Sequence, residues 1–261
     1  MEVIIRNNAQ AAVNLTARLI AEDLHKKPGM VLGLATGRTM ETVYAELARM
    51  HKTDKLDFSL AKTFNLDEYI GLPPENKNSY RYYMNSHLFN NVNIDIRNTH
   101  LPNGIADDID LECEKYEKLI LECGGIDLQL LGIGRDGHIG FNEPLSALRS
   151  RTRAKSLTPL TFAQNSPLFD NPEDMPKRAI TMGVGTVLEA KRIIMLVVGE
   201  EKSNILAKAV EGPVTSMISA TALQLHPHCT VIVDEAAASQ LKEKDYYYWI
   251  FDNEPEWEHY R

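Results

Sequence analysis

Hydrophobic residues occur in short continuous runs along the chain, and the segments between these runs have a helical period. Continuous apolar runs are typical of strands that are covered on both faces. In the first intervening segment, Val13, Ala17, Ile20 and Leu24 fall on one stripe of a helix. The predicted strands are Val3 to Ile5, Met30 to Ala35, Ala61 to Leu66, Ile126 to Ile133, Ile193 to Val198 and Thr230 to Val233. This alternation predicts a three-layer α/β fold, in which a mostly parallel, twisted, Rossmann-like sheet carries helices on both faces.

No Ser/Gly linker, charge block or internal repeat divides the sequence, so we expect residues 1–261 to form a single domain. The longest stretch without a clear period is residues 141–178, from Phe141 to Arg178, which is rich in Pro, Asn and Ser. Irregular stretches of this length are uncommon in compact domains and are often functional. We therefore predict an irregular loop here that acts as a lid or as a regulatory binding surface.

The chain has 28 Lys and Arg residues against 36 Asp and Glu residues, a formal charge of -8. This balance offers no basic field for nucleic acid or anionic lipid, so an anionic ligand must be bound by local groups. The three cysteines are too few for a disulfide framework, and no apolar run is long enough to span a membrane. The N-terminal residues do not form a basic and apolar leader. We expect a soluble cytoplasmic protein.

A small polar turn, Thr36, Gly37, Arg38 and Thr39, separates the second predicted strand from a helix-like segment, Glu41 to Met50. A helix N-terminus offers unpaired N–H groups and a partial positive charge, and hydroxyls beside a glycine suit a phosphate. The turn lacks the Gly-Lys-Ser/Thr ending of a nucleotide-binding P-loop. It therefore predicts a phosphate site, with an ordinary capped helix as the alternative.

Two adjacent acids, Asp67 and Glu68, end the third predicted strand. Successive side chains of a strand point to opposite faces, so we expect the two carboxylates to have different roles. The carboxyl end of a parallel strand is where α/β sheets bind ligands. This position makes the pair a candidate for an active site, and a solvated strand end is the alternative.

The segment from Gly132 to Pro144 combines a glycine-rich strand exit with ionisable residues. Its glycines match the dinucleotide-binding spacing, but the later acid that would hold a ribose is missing, which argues against a dinucleotide cofactor. Asp136 and His138 would project to one side of an extended backbone, and Glu143 follows nearby. Two carboxylates around one histidine equip it for proton transfer near neutral pH.

Two further clusters favour structural roles. His226, His228 and Cys229 have metal-binding side chains, but their spacing before a strand favours a simple turn, and we predict no metal site. The aromatic run from Tyr246 to Trp249 favours packing in a helix or an interface over base stacking, because the chain has no basic surface.

Three motifs in this order resemble the glucosamine-6-phosphate deaminase family, namely the Thr36 to Thr39 turn, Asn65 to Tyr69 and Gly132 to Pro144. The resemblance extends over nearly the whole chain, from Val3 to Trp249. It implies a single α/β domain that converts glucosamine 6-phosphate and water into fructose 6-phosphate and ammonium, without a cofactor.

The resemblance also implies a role for each residue of the site. Asp67 would move a proton between C2 and C1 of the sugar, and His138, held by Asp136 and Glu143, would open the ring. A carboxylate shielded from water suits proton removal from carbon, and an imidazole can donate and accept protons at oxygen. The phosphate would be bound by Thr36, Gly37, Arg38, Thr39 and Lys202.

The phosphate site departs from the family pattern. The family usually has Asn-Ser-Arg where this chain has Asn165, Ser166 and Pro167, so one phosphate-binding arginine is missing. Arg38 stands where the family commonly has Gly or Ser. We expect Arg38 to supply the missing guanidinium, together with Lys202.

Some relatives have an activator site for N-acetylglucosamine 6-phosphate at a subunit interface. Ala147 stands where these relatives have a second serine, and a basic surface loop is the alternative interpretation. The resemblance implies a homo-oligomer, with the hexamer of regulated relatives as one form. The residues that match the activator site are Ser146, Arg153, Lys155, Ser156 and Tyr248.

Three other functions compete with this one. The 6-phosphogluconolactonases share the fold and the Asp-Gly-His motif, but they lack the Phe-Asn-Glu-Pro continuation and the segment around Asp67. A sugar-phosphate sensor would need a DNA-binding module, for which we expect no room before Val3. A deaminase for galactosamine 6-phosphate stays open, because few residues contact the one inverted hydroxyl.

Overall fold

The computed structural model describes residues 1–261 and contains ten strands in two sheets. The strands are β1 Glu2–Arg6, β2 Val31–Leu34, β3 Lys62–Asn65, β4 Asp67–Tyr69, β5 Thr99–His100, β6 Leu128–Leu131, β7 Arg153–Ser156, β8 Arg178–Thr181, β9 Arg192–Val197 and β10 Cys229–Asp234. The central sheet has seven parallel strands in the order β1-β10-β9-β6-β2-β3-β5. All six predicted strands are present in it, with ends within two residues of the prediction.

Eight α-helices connect and cover the strands. They are α1 Ala9–Lys26, α2 Arg38–Asp54, α3 Tyr80–His87, α4 Ile109–Glu122, α5 Pro159–Asn165, α6 Val184–Leu188, α7 Ser203–Glu211 and α8 Lys244–Asn253. The connections from β1 to β2 and from β2 to β3 cross the sheet in one direction, whereas those from β5 to β6 and from β9 to β10 cross in the other. Right-handed crossovers therefore place α1 and α2 on one face of the sheet and α4 and α7 on the opposite face. The three-layer prediction is confirmed.

The first helix shows how the sequence pattern produces this layering. Asn8 begins α1 because its side chain accepts a hydrogen bond from the Ala11 N–H. The stripe predicted from Val13 to Leu24 is buried against the sheet, and α1 also packs on α2. No helix of the chain has both the length and the apolar character needed to cross a membrane.

The second sheet has three antiparallel strands in the order β4-β8-β7. The prediction of an irregular stretch from Phe141 to Arg178 is therefore wrong in part, because this stretch contains β7 and α5 and ends on the first residue of β8. These elements could not be recognised from the sequence pattern, for a physical reason. The strand β7 reads Arg-Ala-Lys-Ser and is only partly buried, so it lacks the apolar run by which the central strands were found.

The two sheets meet at Leu66, which lies between β3 and β4. Its carbonyl accepts a hydrogen bond of 2.7 Å from the Met182 N–H, just after β8. The small sheet has its own apolar cluster, separate from the main core. This cluster consists of Tyr69, Leu72, Phe141, Phe169, Met175 and Ala179. The chain thus turns from the central sheet into a second packed layer at the position of the Asp67 and Glu68 pair.

The centre of the parallel sheet offers a sharp test of its packing. Gly33 on β2 lies opposite Gln129 on β6, and a Cβ atom on Gly33 would be 2.1 Å from the buried Gln129 Oε1. We expect Gly33→Ala to lower the free energy of unfolding by about 1–3 kcal/mol, because the core has no space for the added methyl group. Urea denaturation measures this change.

Gly29→Ala is the matched control, because the nearest atom to its added Cβ would be 3.9 Å away. This control should alter the free energy of unfolding by less than about 0.5 kcal/mol. Equal stabilities of the two variants would contradict the packing described for Gly33.

Candidate active site

The segments singled out in the sequence converge at the carboxyl ends of three neighbouring strands, β9, β6 and β2. The Thr36 to Thr39 turn follows β2, the Gly132 to Pro144 segment follows β6, and Lys202 follows β9. The chain leaves β2 and β6 in opposite directions, which opens the kind of crevice in which α/β sheets bind ligands. Residues more than 160 positions apart in sequence, from Thr36 to Lys202, therefore surround one crevice.

A tight turn after β6 brings Asp136 and His138 together. The Gly137 N–H donates to the Gly134 carbonyl, and the His138 N–H donates to Asp136 Oδ1 over 3.2 Å. His138 Nδ1 lies 2.6 Å from Asp136 Oδ1 and 3.3 Å from Glu143 Oε2. The backbone is turned rather than extended, but the predicted cluster of one imidazole and two carboxylates is confirmed.

Burial and charge act in opposite directions on this cluster. Burial alone would lower the pKa of His138, but contacts with Asp136 and Glu143 outweigh it and raise that pKa to about 9. For Asp136, burial alone would raise the pKa, and the His138 contact instead holds it well below its usual value. The cluster is therefore an ion pair in which a protonated imidazole compensates for buried carboxylate charge.

Asp67 is a buried carboxyl of a different kind. Its side chain is only 5% exposed and accepts no hydrogen bond from the rest of the chain. Burial, followed by the nearby charge of Glu68, raises the pKa of Asp67 to about 8, although the charge of His138 opposes this rise. A carboxylate with this pKa is a stronger base than an exposed one, and it remains able to lose its proton near neutral pH.

Gly140 allows the loop to approach Asp67 closely. Its φ is +56°, a conformation that favours glycine. A Cβ atom here would lie 2.9 Å from Thr181 Oγ1 and 3.4 Å from Asp67 Oδ2. The missing side chain therefore lets the segment that carries His138 pack directly against the corner that carries Asp67.

Glu68 does the work of a helix cap. Its carboxylate accepts hydrogen bonds of 2.9 Å from the backbone N–H groups of Tyr80 and Arg81 at the start of α3, and one of 2.8 Å from the N–H of the next residue, Tyr69. The two carboxyl groups thus have different surroundings, as expected for residues with different roles, because backbone donors surround Glu68 alone. The alternative of a solvated strand end is wrong, because both side chains are buried.

The turn after β2 has the features of an anion site. Arg38 is the first residue of α2, is exposed, and makes neither a hydrogen bond nor an ion pair. The Tyr83 hydroxyl fixes the turn by donating to the Gly37 carbonyl over 2.8 Å. Lys202 Nζ donates to the Ile133 carbonyl over 2.8 Å, and burial together with the charge of Arg135 lowers the pKa of Lys202. Pro167 is exposed and supplies no donor.

Asn142 ties the loop to the rest of the molecule. It is fully buried, donates to the carbonyls of Ile139 and Met182, and accepts from Arg153 Nη1 over 2.8 Å. Its neighbour Ser146 is also buried, and the Ser146 hydroxyl has no hydrogen-bond partner. Ser146 and the β7 residues Arg153, Lys155 and Ser156 thus belong to one stretch of chain.

Tyr248 is set apart from the other four residues that were matched to an activator site. Its hydroxyl donates to Glu235 over 2.6 Å, and no hydrogen bond or ion pair joins it to the other four. Tyr246 and Trp249, on the same helix α8, are 57% and 56% exposed. The aromatic run is therefore helical, as one of its two interpretations proposed, but part of it faces solvent.

Sequence reasoning missed two parts of the site. The rings of Tyr69, Tyr80 and Phe141 pack together beside it, with centroids 5.0–6.0 Å apart. Thr158 donates from its backbone and its hydroxyl to the Glu143 carboxylate. The Thr-Pro pair at 158–159 is a helix-start signal and could have located α5, but no local pattern links Thr158 to Glu143.

One group of residues could hold a metal ion. Asp136, His138 and Glu143 each offer a ligand atom, and these atoms lie within 4.8 Å of one another. His226 and His228 form no such group, because His226 Nε2 bonds to the Ala190 carbonyl and its Nδ1 accepts from the His228 N–H. His226 and His228 therefore lie in a turn before β10.

A doubly wound α/β fold with a buried carboxyl, an imidazole between two carboxylates and an unpaired arginine at a nearby helix start has the arrangement of an acid–base enzyme. The chain belongs to the family of glucosamine-6-phosphate isomerases and 6-phosphogluconolactonases, whose pattern matches residues 6–232.

Individual relatives refine this assignment. The chain is 48% identical to the glucosamine-6-phosphate deaminase of Cellvibrio japonicus, over 95% of this chain and 94% of the relative. It is 47% identical to that of Pseudarthrobacter chlorophenolicus, over 99% of both chains. A solved monomeric glucosamine-6-phosphate deaminase has a TM-score of 0.90 and 42% identity, over 92% of this chain and all of the other. The 6-phosphogluconolactonase from Trypanosoma cruzi has a TM-score of 0.73 at 18% identity, over 92% and 97%, and shares the fold.

The raised pKa of Asp67 makes the stability of the fold depend on pH. An unfolded chain ionises this carboxyl near pH 4, whereas the folded chain keeps it protonated up to about pH 8. Its stabilising effect is therefore full below pH 4 and is lost as the pH rises to 8. We expect Asp67→Asn to stabilise the fold, by a margin that grows between pH 4 and 8 by up to about 1.4 kcal/mol per pH unit.

Urea denaturation at pH 5 and at pH 8 measures this margin. Asp107→Asn, at an exposed position, is the control for the loss of one carboxyl group. A margin for Asp67→Asn that is the same at both pH values would contradict the buried, protonated carboxyl.

Proposed function

We propose that this protein is a glucosamine-6-phosphate deaminase that serves the breakdown of amino sugars. The reaction converts glucosamine 6-phosphate and water into fructose 6-phosphate and ammonium, by aldose–ketose isomerisation followed by hydrolysis of the resulting imine. The observation that carries this proposal is the unpartnered, buried Asp67 beside the cluster of Asp136, His138 and Glu143. The identities of 47–48% to deaminases over almost the whole chain support the same reaction.

Asp67 is the base in this proposal. It removes the proton from C2, the carbon that bears the amine, and returns a proton to C1, which turns the aldose into a ketose imine. Two features support this role, namely the low exposure of the side chain and the absence of hydrogen-bond donors that would weaken the base. A carboxyl with a pKa of about 8 is ionised in roughly one molecule in ten at pH 7 and retains high basicity when ionised.

His138 opens the sugar ring. Ring opening needs one proton delivered to the ring oxygen and one taken from the C1 hydroxyl, which a single imidazole can do in succession. Asp136 and Glu143 hold this imidazole from one side, through its Nδ1. The Nε2 atom is thereby left to face the sugar. Water then hydrolyses the C2 imine and releases ammonium, so the proposal requires no cofactor and no metal.

The phosphate is held by Thr36, Gly37 and Thr39 together with two cations. Arg38 supplies the guanidinium that the usual family arginine would supply at Pro167, and Lys202 supplies the second positive charge. The unpaired, exposed state of Arg38 at the start of α2 supports this assignment, because the side chain can turn towards a ligand without breaking an existing contact.

Two related reactions are alternatives. Galactosamine 6-phosphate differs at one hydroxyl, and no residue of the site described above selects between the two epimers. A lactonase reaction is less well supported, because the lactonases share this fold at only 18% identity.

The proposal also covers regulation and assembly. N-acetylglucosamine 6-phosphate would act as an activator at Ser146, Arg153, Lys155 and Ser156 of one subunit with Tyr248 of another, in a homo-oligomer that could reach a hexamer. Tyr248 bonds to Glu235 and to none of the other four residues within one chain, which is compatible with a site shared between subunits. The stretch 141–178 would act as the lid. We place the enzyme in the cytoplasm, without nucleic acid or membrane partners.

The first experiment measures release of ammonium and fructose 6-phosphate from glucosamine 6-phosphate, in parallel with galactosamine 6-phosphate and with or without N-acetylglucosamine 6-phosphate. We expect equal amounts of both products from the gluco substrate. Asp67→Asn and His138→Gln should each lower turnover by at least about 100-fold, because each removes a proton-transfer group. Turnover of galactosamine 6-phosphate alone would identify that epimer as the substrate. Full activity of either variant would contradict the role proposed for the residue that was replaced.

The phosphate assignment predicts a change in KM. Arg38→Ala should raise the KM for the phosphosugar by about 10-fold or more with a smaller effect on kcat, because a charged hydrogen bond to the phosphate is lost. Arg97→Ala removes one exposed arginine far along the chain and controls for the change in net charge. An unchanged KM in Arg38→Ala would contradict the assignment.

A further inference from the structure

Glu143 receives its hydrogen bonds from a segment that is distant in sequence. Its side chain is 2% exposed. The Thr158 N–H donates to Glu143 Oε1 over 3.1 Å, and Thr158 Oγ1 lies 3.3 Å from Glu143 Oε2. The same Oε2 atom lies 3.3 Å from His138 Nδ1. One carboxylate oxygen therefore contacts the imidazole on one side and Thr158 on the other.

The Thr158 hydroxyl is oriented by its own helix. It is the N-cap of α5 and accepts a hydrogen bond of 3.2 Å from the Thr161 N–H. Thr161 Oγ1 lies 3.1 Å from Thr158 Oγ1 and is a second acceptor for the Thr158 hydroxyl proton. A carboxylate is a stronger acceptor than a neutral hydroxyl, so the Thr158 hydroxyl directs its single proton towards Glu143 Oε2, 3.3 Å away. Two donors from one residue then fix both carboxylate oxygens and the plane of the carboxylate.

The segment that carries Thr158 is held against the site by contacts that do not involve Glu143. Asn165 Nδ2 donates to the Tyr69 hydroxyl over 3.2 Å, and Phe169 packs on the Tyr69 ring. Asp170 forms an ion pair with Lys77. Removal of the Thr158 hydroxyl should therefore leave the segment in place and change only the support of Glu143.

We propose that Thr158 is a positioning residue, which holds the Glu143 carboxylate in contact with His138 and so couples the imidazole to the placement of the segment from Leu157 to Met175. This inference rests on the proposed function for its catalytic meaning, because His138 is the ring-opening group there. The contact itself can be tested without any substrate. When the segment is docked, Glu143 faces the imidazole, and when it moves away, both donors to Glu143 leave with it.

The charges around His138 determine the direction in which its pKa should change. Asp136 and Glu143 contact its Nδ1, Asp67 lies nearby on β4, and Lys202 and Arg135 lie beyond Asp136. Without the Thr158 hydroxyl, Glu143 Oε2 is free to rotate away from Nδ1, which leaves Asp136 as the main acceptor. The protonated imidazole loses part of its stabilisation, so the pKa of His138 should fall.

The test follows His138 by NMR in histidine-labelled full-length protein, with the His138→Gln spectrum assigning its signal. Thr158→Val should lower the titration midpoint of His138 by at least about 0.5 pH unit. Thr158→Ser keeps the hydroxyl and should restore the parent value. Ala163→Gly, at an exposed position of α5, is the matched control, because it weakens the helix without contacting Glu143.

Two NMR results would overturn the inference. One is an unchanged midpoint in Thr158→Val, and the other is an equal shift in Ala163→Gly, which would assign the effect to helix order alone. Kinetics with glucosamine 6-phosphate should show a kcat about 3–10-fold lower for Thr158→Val, with a smaller change in KM. If the parent protein does not turn over this substrate while the midpoint still shifts, the proposed function fails and the positioning contact stands.

Discussion

The contact of the His138 imidazole with the Asp136 and Glu143 carboxylates is the interaction around which the carboxyl edge of the sheet is organised. An unpaired carboxylate at the burial of Glu143 would cost several kcal/mol, and a protonated imidazole at 2.6–3.3 Å offsets that cost. To bring these groups together within eight residues, the chain needs a tight turn at 134–137, a glycine at position 140 and the buried anchor Asn142. Each of these features positions the groups of the cluster and is not itself a reacting group.

Asp67 and Glu68 show how similar carboxyl groups are given different properties by their partners. Both are buried at the corner between the sheets. Three backbone N–H groups satisfy Glu68, whereas none is aimed at Asp67. Burial without donors makes Asp67 a strong base, at the expense of stability near neutral pH. This combination is typical of functional sites, where local stability is lower than the surrounding packing would allow.

Several parts of the candidate site lie outside the parallel sheet. Lactonases with 18% identity share the fold, so the parallel sheet and its helices do not determine the reaction. The small sheet and the segment after Glu143 add further contacts to the site. They close over the aromatic rings of Tyr69 and Phe141, and they bring Thr158 to Glu143. The geometry of this site therefore depends on how the small sheet and its loops pack beside the crevice.

The sequence by itself determined six of the seven strands of the central sheet, because strands buried on both faces must be continuously apolar and can be recognised one at a time. The short edge strand β5, Thr99–His100, has no such apolar run and was not predicted. The sequence also determined the cluster of Asp136, His138 and Glu143, since its members are close in sequence and need only a short turn to meet. Tertiary structure decided the rest. The small sheet is built from short, partly polar strands whose pairing joins Asp67 to Thr181, and the bond from Thr158 to Glu143 closes over fifteen residues. Such contacts leave no local periodicity, because they arise only when separate segments pack against one another.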